Sequence, residues 1–435
     1  MHLKLKRDNA FVIKKILLLK LSRSRYPVAA QKVLGENLFS FIMRKNIFSE
    51  EQSYHKQSRQ SKKTHHVDGG YSAAGAAKSV QDTQWRKWHT DKGHGYSAED
   101  ANALNDILHG KKVEKVGSDN SFRGPDRIVD GQSIQTKYCN SAYRSVNNAF
   151  TTPDGVQGDY QYPGQVLEVP KDQYEEAVRI MEQKIRDGHV PGVSDPAQAK
   201  NIVKAGSVTY QQAVDIAKAG TLESLKFDIK NNAISGSCAG GISFVITLAM
   251  AKHNGASNKE AIKVAGKETV KTAGKTILTG VASQQFLRTA TGKASADAIR
   301  MTCKKGLNAA AKTQLGKKAI EKTASTFAGK TVTGKIASSV LSRGMSANVI
   351  TSAASFGISE VGEIVNLCRG KISGKQFAKN TIANGAGTGG GMGGAWAGAA
   401  VGSMICPGIG TVVGGIIGGV VGGISSSTLV KKILK

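Results

Sequence analysis

The stretch GPDRIVDGQSIQTKYC, residues 124–139, carries polar side chains where two short apolar runs predict strands. These side chains belong to Asp126, Gln135 and Lys137. Gln135 and Lys137 are two residues apart, so on a strand they project from the same face. Asp130-Gly131 predicts a two-residue hairpin turn, which would bring Asp126 against them. Oxygen ligands beside a lysine suit phosphodiester hydrolysis, because a hard cation held by oxygens bears the developing charge and lowers the pKa of water.

The surrounding sequence predicts an α-β-β-β-α-β-α order. Helical patterns alternate with strand patterns, and a Ser N-cap with an acidic first turn predicts that the first helix begins at Ser97. The predicted elements are a helix at 97–110, strands at 112–117, in DRIV and in QSIQTKYC, a helix at 141–150, a strand at 164–170 and a helix at 171–188. Three short helices are predicted to follow, at 197–205, 209–219 and 221–230.

This order, with Pro125-Asp126 and Gln135-Thr136-Lys137 on the hairpin, resembles the PD-(D/E)xK nuclease superfamily over residues 95–190. The resemblance implies a restriction-endonuclease-like αβββαβ core that binds Mg²⁺. It implies that Asp126 and Gln135 ligate the metal and that Lys137 positions or activates the attacking water. Gln135 stands where an acid is usual, which removes one negative charge from the site.

A further acid is expected from the first predicted helix. Glu99 matches the position from which many members of the superfamily contribute one, and its neighbour Asp100 is the rival. The four candidate catalytic residues are therefore Asp126, Gln135, Lys137 and Glu99.

The amino-acid composition indicates which classes of binding partner to expect. The 435 residues include 60 basic and 32 acidic side chains, a formal charge of +28, which favours nucleic acid or an anionic membrane surface. The five cysteines form no CxxC pair, so a structural zinc site or a disulfide framework is not expected. His89 and His94, close to Trp85 and Trp88, are expected to serve packing and solvation rather than zinc binding.

The C-terminal region has a different character. No formally charged residue occurs from Asn380 to Val430, and glycines recur there at every fourth position in two sets. The sets are Gly390, Gly394, Gly398 and Gly402, then Gly410, Gly414, Gly418 and Gly422. Spacing of four places each set on one helical face, where two helices approach closely. The pattern resembles the glycine-zipper hairpins of bacterial membrane proteins, and also allows homo-oligomers to form.

Two further features suit a membrane or a polyanion. The uncharged run 233–251 could span a bilayer or form a buried helix of a soluble protein. A lysine ladder follows it at intervals of four residues, and a helix would present its members to lipid headgroups or nucleic-acid phosphates. The ladder consists of Lys259, Lys263, Lys267, Lys271 and Lys275.

Four regions follow from these shifts in composition. They are a basic, poorly structured segment at 1–80, the α/β domain with trailing short helices at 81–230, a basic helical region at 231–379 and the glycine-zipper hairpin at 380–435. The expected fold class is thus an α/β core followed by an all-α, Gly/Ala-rich, membrane-associating region.

Two functions are carried forward. The first is a protein of the bacterial inner membrane with a cytoplasmic, Mg²⁺-dependent deoxyribonuclease domain, an effector in defence or competition. The alternative is a bacteriocin-like protein that perturbs membranes or forms pores, whose α/β domain is not catalytic. The expected partners are DNA and anionic lipid.

Overall fold

A computed structural model describes residues 75–77, 79–116, 123–328 and 331–405, together with 418, 422, 426 and 429. The predicted basic segment at 1–80 thus lies almost wholly outside the described residues. The chain divides into two units. An α/β unit comprises Asp82–Asn231 with Gln284–Ser295, and a helical unit comprises Met1–Gln81, Asn232–Ser283 and Ala296–Lys435.

The α/β unit contains a small mixed sheet with helices on its faces. Its elements are α1 (Gly93–Leu108), β1 (Val113–Lys115), β2 (Arg127–Val129), β3 (Gln132–Thr136), α2 (Ala142–Asn147), β4 (Val166–Val169), α3 (Tyr174–Arg186), α4 (Ala199–Ile202), β5 (Val203–Ala205) and α5 (Tyr210–Ile216). Up to α3, the predicted order of helices and strands is confirmed.

The five strands lie side by side in chain order. β1–β2 and β2–β3 are antiparallel, whereas β3–β4 and β4–β5 are parallel. Gln135 pairs with Leu167, and Thr136 pairs with Glu168. Because neighbouring strand residues project to opposite faces, Gln135 and Thr136 face opposite sides of the sheet.

The hairpin turn between β2 and β3 confirms the sequence prediction. Asp130 has φ 50° and Gly131 has φ 90°, the left-handed pair that a tight hairpin turn requires. The Asp130 side chain also accepts the backbone N–H of Lys112 at 2.9 Å. Asp130 is therefore a turn residue, as predicted.

Apolar burial explains why α2 and α3 pack on one face of the sheet. Leu167 and Val169 of β4 are fully buried in a cluster with Val146, Phe150 and Met181. The opposite face of β4 is polar, because Glu168 accepts a hydrogen bond from Asn102 of α1 at 2.7 Å. The helix α1 thus covers the other side.

Two sequence predictions for this unit were wrong. The helix α1 begins at Gly93, and Ser97 is not its cap: the Ser97 hydroxyl donates to the carbonyl of Ala213 at 2.5 Å, a contact distant in sequence. The three predicted trailing helices are also corrected. The segment 197–205 contains the one-turn helix α4 followed by the strand β5, 209–219 holds the short helix α5, and 221–230 begins a much longer helix.

A buried ion pair completes the α/β unit. Arg288 donates from both terminal nitrogens to Asp228, at 2.8 and 2.7 Å, and both side chains are fully buried. The Arg288 guanidinium also lies 4.6 Å from the ring centroid of Trp88. Trp85 and Trp88 are buried, as the sequence predicts.

The remaining described residues are helical. The long helices are α6 (Leu222–His253), α7 (Asn258–Leu287), α8 (Ala290–Ala310), α9 (Gln314–Ala328), α10 (Gly334–Cys368) and α11 (Gly374–Ile405). Small residues let α6 and α7 approach closely: a Cβ on Gly240 would lie 3.1 Å from the carbonyl oxygen of Thr269. The predicted run 233–251 lies within α6. The small mixed sheet followed by a helical region agrees with the expected fold class at this level.

Candidate metal centre

Asp126 lies where β2 begins, and its carboxylate joins the two hairpin strands. The Oδ2 atom accepts the backbone N–H of Thr136 at 2.7 Å and the Nε2 group of Gln135 at 2.9 Å. The Asp126 N–H donates to the carbonyl of Ile134 at 2.9 Å, so the hairpin ladder fixes the register of these residues. The hairpin therefore brings Asp126 and Gln135 together.

Gln135 has one amide atom without a partner. Its side chain is 5 % exposed, and the buried Oε1 atom accepts no hydrogen bond. Nε2 is held by Asp126, so the unpartnered oxygen lies beside that carboxylate. A buried acceptor without a donor costs about 1–3 kcal/mol, and a bound cation would satisfy it.

Glu99 interacts electrostatically with Asp126. Burial and the negative charge of Asp126 raise the pKa of Glu99 to about 8, while a hydrogen bond from Nε2 of Gln84 at 2.7 Å acts in the opposite direction. Burial also raises the pKa of Asp126, opposed by the Thr136 N–H and by Lys137. The ionised forms of both carboxyls are thus disfavoured, and a bound cation would favour them.

Lys137 and Tyr96 complete the surroundings of the carboxylates. The positive charge of Lys137 lowers the pKa of Asp126 and of Tyr96, and its Nζ lies 4.9 Å from the ring centroid of Tyr162. Burial, Glu99 and Asp126 raise the pKa of Tyr96. Sequence reasoning missed Tyr96, although its position one helical turn before Glu99 places both on one face of α1.

The structure distinguishes the roles of Glu99 and Asp100. Asp100 accepts the backbone N–H of Gln84 at 2.7 Å and the indole N–H of Trp88 at 3.1 Å, and it pairs with Lys115 at 2.6 Å. These partners tie Asp100 to the packing of the preceding segment. Glu99 is thus the acid of α1 that interacts with Asp126.

The two histidines do not meet. The Nε2 atom of His89 lies 2.8 Å from the carbonyl of Leu287, and that of His94 lies 3.0 Å from the carbonyl of Tyr138. Within the described part of the chain, no group of three or more His, Cys, Asp and Glu side chains is arranged to hold a metal. The candidate cluster differs from such a group because its third ligand would be the amide of Gln135.

A second polar cluster, not foreseen from the sequence, occupies the opposite face of the sheet. Arg127 is 1 % exposed and donates to Glu168 at 2.7 and 2.6 Å, to Thr136 at 3.1 Å and to Asp106 at 3.1 Å. Lys204 lies 3.6 Å from Glu168. These buried charges compensate one another, so the cluster stabilises the strands that carry Asp126 and Gln135.

The predicted lysine ladder lies on α7. Lys259, Lys263 and Lys267 are exposed, whereas Lys271 and Lys275 are partly buried, and Lys271 pairs with Glu268 at 3.7 Å. Val270 is 73 % exposed between the basic side chains. The first half of α7 therefore presents the ammonium groups of Lys259, Lys263 and Lys267 to the solvent.

The glycines of the two predicted arms meet backbone to backbone. A Cβ built on Gly394 would lie 2.0 Å from the carbonyl oxygen of Gly418, and one on Gly422 would lie 2.1 Å from that of Gly390. The Cα of Gly398 lies 2.8 Å from a Cβ built on Gly418. Real Cβ atoms do not approach so closely, so only glycine fits. Gly402 lies in α11, whereas Gly410 and Gly414 lie outside the described residues.

One helix among the described residues is long and apolar enough to cross a membrane. It is α6, Leu222–His253, and most of its apolar stretch is not buried against the rest of the described chain. Length and composition of this kind also occur in the core helix of a soluble protein. The helix is a candidate span on those grounds alone.

Two parts of the chain match known protein families. Residues 53–186 match the YeeR C-terminal domain, and residues 373–429 match the C13G5.2-like glycine zipper domain. A stretch of 103 residues is 47% identical to the inner membrane protein YeeR of Escherichia coli strain K12. That stretch covers 23% of this chain and 20% of the relative. No solved structure matches the chain. The C-terminal arms are thus similar to a glycine-zipper domain, and part of the α/β unit is similar to a domain of YeeR.

Proposed function

We propose that this chain is a protein of the bacterial inner membrane, in which the glycine-zipper hairpin anchors a cytoplasmic α/β unit. The arms lack formal charge from Asn380 to Val430, and Lys431, Lys432 and Lys435 follow, where headgroups would bind them. The relative with 47% identity is named an inner membrane protein. Both facts support the anchor.

The packing of the two arms is the observation that carries this proposal. Gly390, Gly394, Gly418 and Gly422 approach so closely that any larger residue would overlap a neighbouring backbone. Glycine in a soluble helix costs about 1 kcal/mol per residue. In lipid, by contrast, helices associate through such backbone contacts, because apolar side chains gain little by leaving lipid for a helix interface. The zipper is therefore best explained by a membrane setting.

Fractionation of cells tests the anchor. The full chain should remain in the membrane fraction after a carbonate wash, which removes peripheral proteins. A chain recovered in the soluble fraction would overturn the proposal. The Lys259→Gln/Lys263→Gln/Lys267→Gln variant serves as a control for electrostatic adsorption, because the anchor predicts that this variant stays in the membrane.

A second function is favoured by the unpartnered Oε1 of Gln135: Mg²⁺-dependent hydrolysis of phosphodiesters, with DNA as the substrate. Asp126, Glu99 and Gln135 supply two carboxylates and an amide oxygen, the ligand type that a hard cation prefers. Mg²⁺ would supply the positive charge that stabilises a phosphorane-like transition state and acidifies water. Lys137 would orient the water or a substrate phosphate by donating hydrogen bonds.

Cleavage of plasmid DNA tests the second function. The full chain in detergent should nick plasmid with Mg²⁺ and not with a chelator, and Asp126→Ala or Lys137→Ala should abolish nicking. Asp154→Ala is the matched control, because Asp154 is an exposed carboxylate of the same unit. Activity that persists in both site variants would exclude the site.

Leakage of vesicle contents distinguishes the pore-forming alternative. Release of an entrapped dye by the full chain, without metal-dependent nicking, would replace the nuclease function with membrane perturbation. In that case the zipper would assemble copies of the chain, and the exposed lysines of α7 would concentrate it at anionic lipid. Nicking without leakage would exclude this alternative.

A further inference from the structure

The turn between α8 and α9 carries a concentrated positive charge that no function above uses. From Arg300 to Lys322 the chain has seven basic residues and one acidic residue. Five of the lysines are exposed on the last turns of α8, the turn itself and the first turns of α9. They are Lys304, Lys305, Lys312, Lys317 and Lys318.

Two large apolar side chains stand among these lysines. Leu315 is 82 % exposed, the highest value among the exposed large apolar residues of the described chain, and Met301 is 62 % exposed. The inner side of α9 is occupied, since Ile320 and Ala324 pack in a cluster with Leu341. Leu315 therefore projects away from the core of its own unit.

The spacing along α9 places charge and apolar surface on one face. Leu315 and Lys318 are three residues apart and lie on the same side of the helix, away from Ala324. A helical face that combines basic residues with exposed apolar ones matches the interface of a bilayer, where the ammonium groups meet lipid phosphates and the apolar groups enter the acyl boundary.

We propose that this basic turn, Met301 to Lys318, lies on the surface of a bilayer that contains anionic phospholipid, with Leu315 inserted among the acyl chains. The proposal rests on the membrane association proposed above and adds a second contact with the lipid. Binding to nucleic acid would explain the lysines but not the exposed Leu315 and Met301, because recognition of phosphate does not require apolar side chains.

A fluorescent probe at residue 315 tests the contact. The five native cysteines are replaced by serine, Leu315→Cys is labelled with NBD, and the full chain is reconstituted into phosphatidylcholine vesicles with or without phosphatidylglycerol. With phosphatidylglycerol, we expect a blue shift and loss of most of the NBD emission when lipids carry a spin label near the headgroup. Substitution of the five lysines by glutamine should abolish both changes.

Val156→Cys provides the matched control, because Val156 is an apolar side chain of the α/β unit that is 62 % exposed and lacks such a lysine cluster. Its label should not respond to lipid. If the chain floats with the vesicles and the label at 315 is not quenched, the basic turn does not bind lipid, although the anchor stands. If the chain fails to float, both proposals fall. Equal quenching without phosphatidylglycerol, or a response to duplex DNA instead of vesicles, would also overturn the inference.

Discussion

The Gln135 amide donates to Asp126 at 2.9 Å and leaves its own oxygen buried without a partner. The Gln135 side chain thus holds the Asp126 carboxylate by a hydrogen bond and leaves an acceptor oxygen without a partner beside it. Glu99 adds a second carboxyl whose pKa of about 8 reflects its burial and the nearby charge of Asp126. Burial thus favours the neutral form of Glu99, and a bound cation would favour its ionised form.

Gln135→Glu should increase the affinity for Mg²⁺. A third carboxylate strengthens ligation, and we expect a gain of about tenfold, which corresponds to about 1.4 kcal/mol. Without Mg²⁺ the same variant should unfold at a lower temperature, because the donor to Asp126 is lost and like charges adjoin. Calorimetric titration and melting of the full chain in detergent measure both effects. Gln157→Glu, on the exposed loop, should leave both unchanged; an unaltered affinity in Gln135→Glu would show that no cation binds here.

The Glu99 carboxyl should make stability depend on pH. Its folded pKa of about 8 lies above the ordinary 4.5, so between these values the folded chain binds more protons than the unfolded chain, and stability falls as pH rises. Glu99→Gln removes this loss. The variant should melt at a higher temperature than the parent above pH 8 and show no such advantage below pH 4.5. Fluorescence of the buried Trp85 and Trp88 reports the transition.

Glu176→Gln controls for the loss of a charge, because Glu176 is exposed on α3. Its melting temperature should follow that of the parent across the same pH range. A pH profile of Glu99→Gln parallel to that of the parent would contradict the burial of this carboxyl. Saturating Mg²⁺ should reduce the difference above pH 8, since a bound cation would favour the ionised form.

Arg127→Met should destabilise the α/β unit strongly. Glu168 would remain buried without its bidentate partner, and removal of one member of a buried ion pair costs about 3–5 kcal/mol. Chemical denaturation followed by tryptophan fluorescence measures the loss. Arg127→Met/Glu168→Met should recover a large part of it, because no uncompensated charge is left. A double variant as unstable as the single one would mean that the pair contributes through shape rather than charge.

Gly394→Ala should disrupt the hairpin, whereas Gly389→Ala should not. A Cβ on Gly394 would overlap the Gly418 carbonyl, while one on Gly389 meets no atom within 4 Å. Both substitutions add the same methyl group to the same helix, so the gain in helix propensity is the same in each and does not contribute to the difference between them. The concentration of sodium dodecyl sulfate that unfolds the full chain in mixed detergent micelles measures the hairpin packing, and it should fall in Gly394→Ala but not in Gly389→Ala. An equal fall in the two variants would contradict the zipper.

Local patterns were sufficient to predict much of the α/β unit. The Asp130-Gly131 turn and the apolar period of α3 depend on neighbouring residues only, and both are found where expected. The strand β5 was missed because its three residues, Val203–Ala205, form a strand only by pairing with β4. The start of α1 was misplaced because Ser97 has a cap residue's chemistry, but its hydroxyl is satisfied by the distant Ala213.

The candidate cluster was predictable in part for the same reason. Asp126 and Gln135 are joined by a hairpin whose register is local, so their contact follows from the sequence. The choice between Glu99 and Asp100 depends on how α1 is rotated against the sheet, which no local pattern determines. Arg127 was overlooked because a charge within a strand is typical of a solvated face, and only Glu168 and Asp106, distant in sequence, reveal that it is buried.

The pairing of Arg288 with Asp228 also has a consequence for biosynthesis. The two residues are 60 positions apart: Asp228 lies near the beginning of α6, the candidate span, and Arg288 directly follows α7. On the ribosome, the α/β unit must therefore wait for the end of α7 before Asp228 receives its counter-charge. A nascent chain halted within α7 would hold an incomplete unit, so membrane insertion of α6, where it occurs, would come before the last step in the folding of the α/β unit.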